Sequence, residues 1–255
     1  MYDVDDDVFA MDRSNPAWEE YAPVARRRRM AANMFVADVV TCATPVLAER
    51  VAQFTTAPPV VIRNGLPAGI TRWPRLARDR LVVGWAGSSS TVGGLALVAD
   101  ALTRLARCRD VEVHTVGAPE HMVREHLGSD QVRVTPWVKG TMPYLRGIDF
   151  DVWLAPYEDT AFNRAKVGTK ALEAAFLGIP VIATALPGYR DLVDHGRTGW
   201  LIDDPRDWTS TVLGAVRDRD RLTAMGDTAR RDVAPRHTVE VIADEWEAVL
   251  CPTNA

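Results

Sequence analysis

Short apolar runs alternate with helix-length segments through most of this chain, and that alternation restricts its fold more than any other feature. Leu81 to Ala86, Val111 to Val116, Val132 to Val134, Val152 to Ala155, Val181 to Ala183 and Gly199 to Ile202 read as strands. Between the first two, apolar residues recur at Leu95, Val98, Ala99, Leu102 and Leu105, the spacing of one helix face over Leu95 to Leu105. Glu120 to Leu127 and a short turn at Tyr144 to Arg146 also read as helical, as do Trp208 to Arg217, Arg221 to Asp232 and Val239 to Leu250. Strands separated by helices of this length require right-handed crossovers. The expected result is a doubly wound α/β domain, a parallel sheet with helices on both faces.

The first 66 residues are less regular. Tyr2 to Phe9 reads as the end of a strand and an acidic loop, as if the chain were one part of a larger domain. Asn15-Pro16 resembles a capped helix start, and a helix is expected from Pro16 to about Ala37. Val39 to Ala43 and Val60 to Ile62 read as strands, with a helix from Pro45 to Phe54 behind a Thr44-Pro45 cap. Arg63 to Pro74 carries glycines and prolines without periodicity and reads as a linker. The boundary is placed near residue 66, with a partial α/β lobe over 1–66 and a Rossmann-like domain over 67–255.

Bulk properties exclude several function classes. With 255 residues, 47% hydrophobic and 25% charged, the chain is ordinary for a globular protein. A net charge of −4 gives no global attraction to nucleic acid or to an anionic surface, so any phosphate chemistry needs local cations. Cys42, Cys108 and Cys251 match no metal spacing and fit a reducing compartment. No apolar run reaches the ~18 residues of a membrane span, and Asp3 and Asp5 to Asp7 stand where a signal peptide is basic. A cytoplasmic protein is expected. The run Arg26 to Arg29 covers all sides of a helix and fits a solvated stretch, with peripheral contact to a membrane or an anionic substrate left open.

The chemistry-bearing residues concentrate between Phe162 and Asp203. Lys166, Lys170 and Glu173 stand at i, i+4 and i+7, which puts them on one face if a single helix runs through them. Asn163 and Arg164 lie at its expected start, where unpaired amides favour an anion. Two lysines suit a diphosphate, and a carboxylate one turn on can accept ribose hydroxyls; a surface helix with a Lys170–Glu173 pair fits the spacing equally well. The small loop Gly87-Ser88-Ser89-Ser90-Thr91 follows a strand and could admit a phosphate, although it matches neither G-x-G-x-x-G nor the Walker pattern. Trp137 could stack a base or fill a core. Asp3-Val4-Asp5 reads as a solvated acidic loop rather than a metal site, and no metal is expected. The five histidines are dispersed, and no Ser-His-Asp or Cys-His constellation can be assembled from spacing.

The stretch Lys170-Ala-Leu-Glu173-Ala-Ala-Phe-Leu-Gly178-Ile-Pro180-Val-Ile-Ala183-Thr184, followed by Pro187-Gly188 and Gly196-Arg-Thr198-Gly199-Trp-Leu201, resembles the signature of retaining GT-B nucleotide-sugar glycosyltransferases. Weaker similarity covers Val60 to Gly65 and the Gly87 loop. The resemblance implies a GT-B-like fold in which the last helix returns to the first lobe. It further implies a metal-independent, cofactor-free transferase acting on a nucleoside-diphosphate sugar and an unknown acceptor, with no nucleic-acid partner. Glu173 matches the family's ribose-binding glutamate. Its companion in the E-x7-E pair matches Ala165, and the two basic residues of the family's phosphate loop match Ser88 and Gly93. Diphosphate neutralisation is therefore expected to have moved to Lys166 and Lys170, with Arg164, Asn163, Gly87, Ser88 and Trp137 around the donor. No residue is assigned as a catalytic base. Two alternatives remain beside the transferase: a non-catalytic nucleotide-sugar module, and a subunit whose first lobe is completed by a partner chain.

Overall fold

The computed structural model describes residues 1–73, 78–128 and 131–251, and Pro74 of the expected linker lies outside them. Two parallel sheets organise the described residues. The smaller holds β1 (Tyr2–Val4), β2 (Val40–Cys42) and β3 (Val60–Val61) in the order β1-β2-β3. The larger holds β4 (Leu81–Ala86), β5 (Val111–Gly117), β6 (Val132–Pro136), β7 (Val152–Ala155), β8 (Val181–Thr184) and β9 (Gly199–Ile202). Its order is β6-β5-β4-β7-β8-β9. Strand order therefore reverses between β4 and β7, and a crevice opens beyond their carboxyl ends, the position at which doubly wound sheets take ligands.

Every residue of β4 and β7 is buried, because helices cover both faces. Val83 and Trp85 pack with Leu95, Leu102 and Trp208 on one face; Val82 and Ala86 pack with Phe150, Trp153 and Phe176 on the other. The doubly wound expectation holds. Around the smaller sheet, Val4, Met34, Val40, Cys42, Leu47 and Val51 form a core that also takes in Ala165 from the larger part. Burial pushes the Cys42 thiol up to about 12, so it packs as an apolar side chain.

Several element boundaries differ from the sequence expectation. The helix from Pro16 to Ala37 is two helices, Trp18–Tyr21 and Val24–Val36, separated at Pro23, whose ring and missing N–H break the ladder. Residues Val92–Val98 wind as a 3-10 segment before the regular helix Ala99–Ala106 begins. Position 94 in that segment has room only for glycine, since a Cβ there would lie 2.2 Å from the Pro156 carbonyl oxygen. The loop after β4 thus presses directly on the chain leaving β7. The linker is also tied down. The Leu66 N–H donates to the His237 carbonyl (2.9 Å) and the Val239 N–H to the Leu66 carbonyl (3.0 Å). Arg63 pairs with Glu245 on the last helix, Val239–Leu250.

Candidate functional site

The helix Thr169–Phe176 follows β7 and a short irregular passage. Its start is set by backbone packing: a Cβ on Gly168 would sit 2.5 Å from the Gly188 carbonyl oxygen, and one on Gly188 would sit 2.3 Å from that of Lys166. Main chain lies against main chain here, and the helix cannot begin before it. Lys170, Ala171, Leu172, Glu173, Ala174, Ala175 and Phe176 are all buried. Lys170 and Glu173 both line a cavity of about 370 Å³. Gly87 and Ser88 form one wall of it, Trp137 and Val138 another, and Gly140, Thr141 and Tyr144 a third, with Thr169, Lys170 and Glu173 opposite. All these segments follow carboxyl ends of strands in the larger sheet.

Two titratable groups dominate the cavity. Burial pushes the Glu173 carboxyl up to about 7, against the opposing pull of the Lys170 charge and the Tyr144 hydrogen bond. Near neutral pH it is thus poised between its two forms. The Tyr144 hydroxyl donates to Glu173 Oε2 over 3.4 Å, a long contact. Lys170 Nζ donates to the Tyr157 hydroxyl at 2.7 Å and lies 5.1 Å from the centre of that ring. Lys170 and Glu173 are each only 9% exposed, yet no ion pair joins them.

The structure brings together five of the residues singled out from the sequence: Gly87, Ser88, Trp137, Lys170 and Glu173. Two details differ from expectation. The Gly87 N–H donates to the Val116 carbonyl (2.9 Å) and serves the sheet, so Gly87 shapes the wall without offering an amide. Trp137 is 59% exposed, open to a ring stacked on it and no part of the core.

Lys166, Arg164 and Asn163 are elsewhere, because no single helix runs from 163 to 177. Ala161–Arg164 is one isolated turn capped by Thr160. Asn163 spends its side-chain amide on the Glu158 carbonyl (3.0 Å), and Arg164 pairs with Asp159 (2.9 Å). Lys166 pairs with Asp6, in the loop after β1, at 2.7 Å, with the Phe162 ring beneath it. The shared face of Lys166, Lys170 and Glu173 is therefore reduced to the last two. Ala165, where the family resemblance would place a glutamate, is fully buried in the core of the smaller sheet, and its carbonyl accepts from the Thr44 hydroxyl (2.7 Å).

Spacing missed Tyr144 and Tyr157. Both follow strand ends, which is the one signal that could have flagged them. It also missed an aligned trio: His114 Nδ1 lies 2.7 Å from Asp149 and Nε2 lies 2.8 Å from the Thr135 hydroxyl. The trio resembles an acyl-transfer triad in its distances but lies away from the crevice, with His114 1% exposed and Asp149 also bound by Arg133 and Arg78. Asp3 accepts from the Thr41 hydroxyl (2.6 Å), and Asp7 is buried against Arg50.

The family model for glycosyl transferases group 1 matches residues 80–218. The chain belongs to that family. A D-inositol 3-phosphate glycosyltransferase of Nocardioides is 28% identical over 246 residues, covering 82% of this chain and 53% of the relative. One from Catenulispora acidiphila is 31% identical over 175 residues, covering 68% of this chain and 35% of its own length. The chain thus spans about half the length of the first of these relatives and about a third of the second. Among solved folds, Anabaena HepE with bound UDP and glucose superposes with a TM-score of 0.75 at 18% identity, over 99% of this chain and 71% of HepE. Sucrose-phosphate synthase of Thermosynechococcus elongatus gives 0.70 at 18% identity, over 93% and 65%. The GT-B-like fold of a group 1 glycosyltransferase is the architecture seen. No helix of the described residues is long and apolar enough to cross a membrane.

Proposed function

We propose that this chain carries the donor half of a glycosyltransferase and takes a nucleoside-diphosphate sugar into the cavity beside Lys170 and Glu173. The supporting observation is a buried ammonium, that of Lys170, with no carboxylate partner among the described residues, in a crevice at the reversal of strand order. A cation held this way can take a diphosphate. Glu173, one turn along, is suited to accept from ribose hydroxyls, and the exposed Trp137 to stack on the base. When the bond between the sugar's anomeric carbon and the diphosphate oxygen breaks, negative charge grows on the leaving group. Positive charge already held in place stabilises it without the reorganisation that bulk solvent would need. In this reading the cation is the lysine, so a metal is not required.

The test is calorimetry on the full chain with UDP-glucose, GDP-glucose, ADP-glucose and dTDP-glucose. One of the four should bind, and Lys170→Ala should weaken it at least tenfold. Affinity unchanged in that variant would sink the reading. The acceptor is then sought with the bound donor, beginning with D-inositol 3-phosphate because the Nocardioides relative is named for it. A second reading, a subunit that acts with a partner chain, is favoured by β1, which pairs with β2 alone among the described residues. Light scattering during size-exclusion chromatography separates a self-sufficient monomer from it.

A further inference from the structure

Lys170 and Glu173 stand three positions apart on one helix, a spacing at which lysine and glutamate readily pair. Both are buried, and burial strengthens such an attraction. They are nevertheless apart, and the ammonium points instead at a neutral phenol. That phenol is firmly mounted. The Tyr157 N–H donates to the Thr184 hydroxyl at 2.9 Å, and the same hydroxyl donates back to the Tyr157 carbonyl at 2.8 Å. The Tyr157 ring lies against Tyr189, with centroids 5.7 Å apart, and Tyr189 is itself 3% exposed. Tyr157 is therefore fixed through β7, β8 and the turn that follows β8.

Building on the donor reading above, we infer that Tyr157 is the positioning residue of this site, its hydroxyl holding Lys170 away from Glu173 so that cation and carboxylate each stay available to the donor. The ammonium has three N–H groups; Tyr157 engages one and leaves two for anionic oxygens. The ring beneath Nζ adds attraction without neutralising the charge. Without the hydroxyl, the four-carbon stem of Lys170 is free to swing onto Glu173, and each group would quench the other. The groups that face Glu173 are Lys170 on its own helix and Tyr144 on the helix Thr141–Arg146, with the Tyr157 hydroxyl on Lys170 and the Tyr189 hydroxyl bonded to that of Tyr157.

The variant that tests this is Tyr157→Phe, which keeps the ring and removes only the hydroxyl. The probe is whichever of the four sugar nucleotides binds tightest, titrated from pH 5.5 to 8.5; their diphosphate diesters do not titrate in that range. Wild type should bind more tightly as Glu173 ionises, with a midpoint near pH 7. Tyr157→Phe should bind at least fivefold more weakly at pH 8, with its midpoint moved about one unit to lower pH as Lys170 settles on the carboxylate. If affinity falls while the midpoint stays in place, the hydroxyl is merely structural and the inference fails. Wild-type binding in Tyr157→Phe alongside a tenfold loss in Lys170→Ala would also overturn it, leaving the donor reading intact. No loss in either variant removes both.

Discussion

The two ends of the six-stranded sheet treat charge in opposite ways. At the amino ends of its strands, Asp149 is bound by His114, Arg133 and Arg78, and Asp151 by Arg72 and Arg78. Each carboxylate there has at least two cationic or imidazole partners. At the carboxyl ends, Lys170 and Glu173 are both buried and no ion pair joins them. Buried charges stabilise a fold only when paired and hydrogen-bonded. The first arrangement holds the strands and the linker together. The second costs stability, and a ligand that brings its own charge and hydroxyls is what would offset that cost.

Removing Asp149 should produce the largest effect on the fold. Burial alone would raise its pKa, but hydrogen bonds from His114 and Arg133 outweigh that and hold the carboxyl well below the usual range. A group depressed in this way contributes stability above its unfolded value near 4 and loses it as pH falls through the folded value. Asp149→Ala strands His114 and two arginines, and is expected to cost about 3 kcal/mol in urea unfolding at pH 7. The deficit should shrink toward pH 2, while sugar-nucleotide affinity at pH 7 stays within twofold of wild type. A large loss of affinity without loss of stability would break the contrast between the two ends.

Glu173 should behave in the opposite sense. Its folded-state value of about 7 lies above the unfolded one, so the native state binds more protons between roughly pH 4.5 and 7, and stability falls as pH rises through that window. Glu173→Gln removes the charge and keeps the shape. At pH 8 it should be more stable than wild type by about 2 kcal/mol, which is the ionisation penalty less the cost of an imperfectly paired amide. At pH 5 that gain should vanish. Donor affinity should drop in the same variant, and that pairing of a stability gain with a binding loss is what a residue kept for a ligand would show.

Much of the larger sheet was legible in the sequence because its strands are short runs of mostly buried apolar residues. β4, β7 and β9 begin and end where their apolar runs do, and so does the helix Glu120–Leu127. Periodicity failed where a non-local contact decides. The Lys166–Lys170–Glu173 face assumes one continuous helix, and nothing near residue 168 reveals that the Gly188 backbone lies against it. Tyr157 bears no periodic mark either, since its role depends on Thr184 and Tyr189, residues far along the chain. Likewise the His114, Thr135 and Asp149 trio is assembled from β5, β6 and the approach to β7. Spacing finds what lies on one element. It does not find what three elements share.

The smallest expected effect is the one that best separates the expected helix face from the observed one. Were Lys166 a diphosphate group, Lys166→Ala would cost about as much affinity as Lys170→Ala. The structure instead engages it with Asp6, a pair whose side chains are 26% and 42% exposed. Such half-exposed pairs contribute about 0.2–1 kcal/mol and are screened by salt. Lys166→Ala should therefore lower stability by about 0.5 kcal/mol, and less at 0.5 M salt, with sugar-nucleotide affinity within twofold of wild type. The double variant with Lys170→Ala should bind no worse than Lys170→Ala alone. A fivefold loss of affinity from Lys166→Ala alone would mean that Lys166 leaves Asp6 when donor binds, and the cation of the site would then be two lysines, one of them drawn from its pair with the loop after β1.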